Sequence, residues 1–243
     1  MLEITEILHQ SAHGYTKPYL CRASDGELYY VKGYLAGKES LVFEWIAGCL
    51  GRAFNLPIPE FCIVDVPQYL VDPDVGDYSD LGAGLAFGSR YVEALMEITR
   101  ERAGKVSLEL QRDVVVFDWW IKNQDRTLGA IHGNPNLFLE PKHGQLVVLD
   151  HNCAFDEEFN AEIFVTEHVF SSVIDSTFND LALRAGYGSR FDDAIGGWAE
   201  YCSGLPEEWL YVDGDPSGEL RVDLNRLFEG LSKHVFENFW VTQ

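Results

Sequence analysis

The residues best placed to do chemistry lie in one stretch, with Asp125 in Asn123-Gln124-Asp125-Arg126-Thr127, the amides of Asn134-Pro135-Asn136, and Asp150 heading Asp150-His151-Asn152. Phosphoryl transfer from a Mg-nucleotide needs this inventory: an Asp to orient or deprotonate the acceptor hydroxyl, an amide oxygen on the metal, and a carboxylate joining metal to phosphates. Upstream, Lys32 ends a strand-like run, and a Lys in that position can hold nucleotide phosphates when a helix carboxylate fixes its ammonium. Glu44 is the candidate carboxylate, lying beside Leu41 and off the main apolar stripe of its helix, where it faces either a cleft or water. The segment His13-Gly14-Tyr15-Thr16 offers backbone N–H groups to cover phosphates, so Gly14, Tyr15 and Thr16 are candidate ATP contacts. Val92 and Glu93, closing the mixed apolar stretch Phe87 to Ala94, complete the candidate nucleotide-binding set.

Positioning these groups requires strands first and helices later. Tyr19 to Ala23 and Leu28 to Gly33 flank Ser24-Asp25-Gly26, a strong hairpin signal. Between Lys38 and Ala53, apolar residues recur at helical spacing, up to Asn55-Leu56-Pro57-Ile58-Pro59, whose prolines impose an extended segment. Phe61 to Val66 then reads as a strand, Asp72 to Gly84 as a solvated loop, and Leu108 to Lys122 as a helix leading into the Asp125 segment. Leu137 to Leu139 and Gln145 to Leu149 read as two antiparallel strands that present Asp125, Asn134 or Asn136, and Asp150 at their open end. Beyond Asp223, a plausible N-cap, Leu224, Leu227, Phe228, Leu231, Val235, Phe236 and Phe239 form one helical stripe. This segregation predicts an α+β fold with two lobes, residues 1–93 and 94–243.

Composition narrows the function classes. With 18 Lys+Arg against 39 Asp+Glu, the 243 residues carry a formal charge of −21, which disfavours direct binding to nucleic acid or anionic membrane. Hydrophobic residues at 47% are ample for a packed core. The five cysteines are odd in number and widely spaced, without zinc-finger spacing, so they read as buried hydrophobes in a reducing compartment. Met1 to Gln10 lacks the features of a signal peptide, and no apolar run approaches a membrane span, so a cytoplasmic location is expected.

Together, Tyr30-Val31-Lys32, Phe43-Glu44-Trp45-Ile46-Ala47 with Leu56-Pro57-Ile58-Pro59, Phe87-Gly88-Ser89-Arg90, the Asn123 to Thr127 segment with Asn134-Pro135-Asn136-Leu137, and Val148-Leu149-Asp150-His151 resemble the HipA-like kinases, in the family's order. The resemblance implies a two-lobed kinase fold, ATP and Mg²⁺ as cofactors, and transfer to a protein Ser or Thr. By residue, it implies Asp125 as catalytic Asp, Asp150 as principal metal ligand and Lys32 as phosphate-binding Lys. A small antitoxin-like partner is among the family's associations. In the family pattern the metal Asn follows the catalytic Asp by five positions, whereas Asn134 and Asn136 follow Asp125 by nine and eleven. The Asn-Pro-Asn pattern favours Asn134, while Asn136 directly precedes a strand, and both stay open.

Other readings remain beside this one. A small-molecule kinase of the aminoglycoside-phosphotransferase kind is a looser match through His132-Gly133-Asn134 and Leu149-Asp150-His151, and a non-catalytic pseudokinase or acidic binding module would use the charge to engage a basic partner. Alone, Asp125 also fits a loop residue paired with Arg126 or Lys122. Trp119 and Trp120 read as packing residues, and His132, His151 and Cys153 as structural.

Overall fold

The computed structural model describes residues 1–11, 17–128 and 133–241. In chain order its strands are β1 (Leu2–Gln10), β2 (Tyr19–Ala23), β3 (Leu28–Lys32), β4 (Phe61–Val66), β5 (Gly84–Arg90), β6 (Met96–Glu97), β7 (Leu137–Leu139) and β8 (Leu146–Val148). The helices are α1 (Lys38–Ala53), α2 (Arg100–Ala103), α3 (Leu108–Trp120), α4 (Ala161–Glu167), α5 (Ile174–Phe178), α6 (Leu181–Ile195), α7 (Trp198–Ser203), α8 (Glu207–Leu210) and α9 (Leu224–Leu231). The chain is thus mixed α and β, rich in strands toward its N-terminus and in helices toward its C-terminus. Among the described residues no helix is long and apolar enough to cross a membrane.

Two compact units share the chain. The first comprises Met1–Trp45, Pro59–Glu93 and Leu205–Val222; the second comprises Ile46–Ile58, Ala94–Gly204 and Asp223–Gln243.

A closed barrel in the order β1-β2-β3-β5-β4 builds the first unit. Alternation along each strand turns Ile4, Cys21, Val31, Val64 and Ala86 inward, where all are buried. The β2–β3 hairpin pairs Tyr19 with Val31 and turns at Gly26, whose φ of +85° suits glycine. Closure comes from β1, which pairs with β2 in antiparallel and with β4 in parallel fashion, Leu2 opposite Val64. Because Tyr29 and Val31 face inward, Tyr30 and Lys32 fall on the outer face of β3. Gly33 follows, and a Cβ there would lie 2.0 Å from the Leu81 carbonyl oxygen, so the chain leaves β3 through a gap only glycine fits.

In the second unit α3 is the central element. Its residues Asp113 to Trp120 are all buried, the pattern of a helix with neighbours on every side. Ser107 caps its start by accepting from the Leu110 N–H. Its end is a Schellman turn: the Asn123 N–H bonds the Asp118 carbonyl at 2.8 Å, with Lys122 at φ +52° in the place glycine usually takes. Phe54 is fully buried against Phe117, Trp120, Tyr187 and Phe191, with ring centroids 5.5–6.2 Å apart. The strands β6, β7 and β8 form a small antiparallel sheet, Leu137 opposite Val148.

The C-terminal stripe departs from the expected single helix. Asp223 does cap α9, accepting from the N–H groups of Asn225 and Arg226, but α9 ends at Leu231. Two 3-10 turns follow, Ser232–Val235 and Glu237–Trp240, separated by an extended Phe236. The cause is tertiary: the indole N–H of Trp120 donates to the Leu231 carbonyl at 2.9 Å, and that of Trp119 to the Phe239 carbonyl at 2.8 Å. Trp119 and Trp120 therefore pack as expected and also tie down this segment.

Truncating the ring at the centre of the aromatic stack leaves a cavity that four neighbouring rings cannot collapse into. Phe54→Ala is expected to lower the unfolding free energy by about 3–5 kcal/mol, read by urea denaturation, with the denaturant slope unchanged.

Candidate functional site

In the second unit the site is assembled around Arg126, whose side chain is fully buried. Its Nε donates to Asp118 Oδ2 at 2.7 Å, and its Nη1 donates to the carbonyl oxygens of Asn136 at 2.8 Å, Leu149 at 3.2 Å and Pro135 at 3.3 Å. One guanidinium thus joins the residue after Asp125, the start of β7 and the residue before Asp150. Asp118 accepts from two more groups, Asn123 Nδ2 at 3.0 Å and His168 Nε2 at 3.0 Å. The Phe170 N–H donates to His168 Nδ1 at 3.1 Å, so the ring carries its proton on Nε2 and is neutral. Arg126 pairs with Asp118 rather than with Asp125, which frees Asp125 from the structural ion pair that its loop position allowed.

Asp125 is half-buried and gathers the two amides. Asn134 Nδ2 and Asn136 Nδ2 both donate to its Oδ2, the second at 3.1 Å. A carboxylate only accepts, so each amide shows Asp125 its NH₂ and keeps its oxygen for another partner. Asn136 is buried, whereas Asn134 is exposed. The Asn136 carbonyl also accepts from the Leu149 N–H at 3.1 Å, which sets this residue beside the end of β8. Asp150 follows there, half-buried, at φ +59°, and Asn136 sits at φ +47°, left-handed conformations that Asp and Asn tolerate better than most residues. Burial raises the Asp125 carboxyl above its ordinary range, and the nearby charge of Asp150 adds to this against the two amide bonds.

The oxygens of Asp125, Asp150, Asn134 and Asn136 are hard donors that suit magnesium, which keeps several waters and takes few protein ligands. Among the described residues no cluster of three His, Cys, Asp or Glu side chains could hold a metal by itself. His151 is buried, edge-to-face on Phe117 at 6.0 Å, and Cys153 is exposed.

In the first unit Lys32 Nζ lies 3.3 Å from Glu44 Oε2, and both side chains are buried. Lys32 comes from the outer face of β3 and Glu44 from the first half of α1. Of the two directions open to Glu44, solvent is the one not taken. Val92, half-buried, and Glu93, exposed, lie two and three residues beyond the end of β5, outside any regular element. Gly14, Tyr15 and Thr16 lie outside the described residues, as does His132.

Compared with known protein families, the sequence matches the HipA-like kinases over residues 4–243. The chain belongs to the HipA-like kinase family. No curated protein matches it. A kinase-type function follows from family membership, and with it the use of ATP. In this HipA-like kinase, sequence reasoning missed Asp118, Asn123 and His168 as the groups that hold the site together. The legible signal was Asp118 itself, a carboxylate inside the apolar run Val114 to Trp120.

Burial alone would raise the Asp118 carboxyl, but the Arg126 charge and the His168 bond outweigh it and hold the group down at about 2. Burial lowers His168, partly offset by its bond to Asp118. Both shifts have one sign: the unfolded chain binds more protons than the fold, so stability falls with pH below the ordinary His value of about 6.5, and again from about 3.9 toward 2. Asp118→Asn leaves the guanidinium buried without its counter-charge. It is expected to cost about 3–5 kcal/mol and to flatten the lower of the two acid slopes, measured by denaturation across pH.

Proposed function

We propose that this HipA-like kinase transfers the γ-phosphoryl group of Mg-ATP to the hydroxyl of a protein Ser or Thr. The observation that carries the reading is the placement of two amides on one carboxylate: Asn134 and Asn136 both grip Asp125 Oδ2, and Asn136 is tied through the Leu149 N–H to the strand end that presents Asp150. In this reading Asp125 orients the acceptor hydroxyl and takes its proton, while Asp150 and an Asn oxygen hold the magnesium. Asn136 suits the ligand role better than Asn134, because it is buried and its backbone is fixed by Arg126 and Leu149. A bound divalent ion supplies charge neutralisation on the phosphoryl oxygens.

Lys32, with Glu44 holding its ammonium, is assigned to the nucleotide phosphates, and Val92 and Glu93 to the nucleotide base. The barrel unit and the helical unit stand for the small and large lobes of a kinase-like fold. A formal charge of −21 favours a basic protein segment as acceptor, and an antitoxin-like partner would be of the same kind.

Incubation with Mg-ATP carrying a labelled γ-phosphate, with the protein alone and with basic protein substrates, tests the reading. Asp125→Asn is expected to lower transfer by about 10²-fold or more while nucleotide binding by calorimetry persists. Asp150→Asn is expected to abolish magnesium-dependent turnover, and Asn136→Ala to raise the magnesium requirement more than Asn134→Ala. Transfer at the wild-type rate in either Asp variant overturns the assignment. Lys32→Met is expected to weaken ATP binding, seen as a raised KM for ATP.

A further inference from the structure

The Asn134 amide reaches the Asp125 carboxylate across nine positions of chain, so this bond closes a loop whose ordering costs entropy. Part of the closure is local. The Thr127 N–H donates both to the Asp125 carbonyl at 2.9 Å and to the Asn134 carbonyl at 3.1 Å, which places Thr127 between the two residues that meet. The segment that opens α2 supplies the rest. β6 pairs with β7, Glu97 opposite Phe138, and the Ile98 N–H donates to the Leu137 carbonyl at 2.9 Å. Two residues on, Arg100 donates Nη2 to the Leu128 carbonyl at 2.6 Å. Ile98 and Arg100 therefore hold the two sides of the loop, Leu137 directly after Asn136 and Leu128 directly after Thr127.

Arg100 is exposed and begins α2, whose N-cap is Thr99. In a chain with 39 acidic residues its guanidinium is paired with no carboxylate among the described residues, and its bond goes to a backbone carbonyl instead. A charged donor makes that bond stronger than one between neutral groups. Because the side chain is exposed, its removal leaves no buried charge behind, so the contact matters for where the loop sits more than for whether the chain folds.

We propose that Arg100 is a positioning residue for phosphoryl transfer, anchoring Leu128 so that Thr127 and Asn134 stay paired and the Asn134 amide stays on Asp125. The inference rests on the reading above in which Asp125 acts on the acceptor hydroxyl. Arg100 touches no substrate and works through the Leu128 backbone. Without the anchor the loop samples arrangements in which Asn134 leaves the carboxylate, and a smaller fraction of molecules holds Asp125 in the reactive orientation. Nucleotide binding, assigned to the first unit, is unaffected.

Two substitutions separate the donor from the stem: Arg100→Met keeps an unbranched side chain without a donor, and Arg100→Lys restores one donor, enough for one carbonyl. Steady-state transfer from Mg-ATP is expected to show kcat lowered about fivefold in Arg100→Met with KM for ATP unchanged, and most of the loss recovered in Arg100→Lys. Urea denaturation should give one midpoint for all three proteins. Hydrogen exchange of the Thr127 amide, followed by NMR, should be faster in Arg100→Met and slowed again in Arg100→Lys. The role of Arg100 alone is overturned if the wild type transfers phosphate and Arg100→Met matches its kcat, if the loss appears in KM for ATP, if Lys gives no recovery, or if Thr127 exchanges equally fast in wild type and Arg100→Met. A wild-type chain that transfers no phosphate overturns the Asp125 reading and the Arg100 role together.

Discussion

A guanidinium removed from water needs an anion and acceptors around it, and Arg126 finds one carboxylate for its Nε and three backbone carbonyls for its Nη1, while its Nη2 is buried without a partner among the described residues. The carbonyls belong to Pro135, Asn136 and Leu149, so satisfying one buried charge fixes the spacing of segments that are distant in sequence. Asp118 is held in turn by Asn123 and His168, and the neutral state of His168 keeps a second positive charge out of the cluster. The polar network therefore acts as a rigid frame from which the half-buried carboxylates Asp125 and Asp150 project. Its residues touch no substrate in this reading, yet the geometry of those that would depends on them.

Asp125 and Asp150 illustrate the opposite use of charge. Where Asp118 is neutralised, these two repel, and the repulsion together with burial raises the Asp125 carboxyl. Two amide donors limit that rise. Such a pair is costly to fold and is relieved by a cation, the arrangement expected where a metal and a nucleotide bring compensating charge.

Local patterns made much of this legible. The helix from Lys38 to Ala53, the strand Phe61 to Val66 and the hairpin around Asp25-Gly26 carry their signals in periodicity and turn chemistry, and the structure has them at those positions. The Asp125, Asn134, Asn136 and Asp150 group was readable because loop residues of unusual type cluster between short strands. What escaped depends on long-range partners. β1 has one fully buried residue, Ile4, and becomes a strand by pairing on both edges, so its own alternation is faint. His168 finds Asp118 across fifty positions. The helical stripe beyond Leu231 is locally convincing and is overruled by two indole N–H groups that claim its carbonyls. Glu44 was undecidable on a helical wheel, because its direction is set by Lys32 on another element.

The barrel unit takes its last segment, Leu205–Val222, from beyond most of the helical unit's chain, while the helical unit takes Ile46–Ile58 from within the barrel's. Each unit is therefore interrupted in sequence by the other, and no single cut through the chain yields both intact. A ribosome releasing the chain from its N-terminus supplies all five barrel strands by Arg90 but completes the first unit only after more than a hundred further residues. Synthesis thus holds Lys32 in one unit and Asp150 in the other to a common schedule, in which neither unit is finished long before the other.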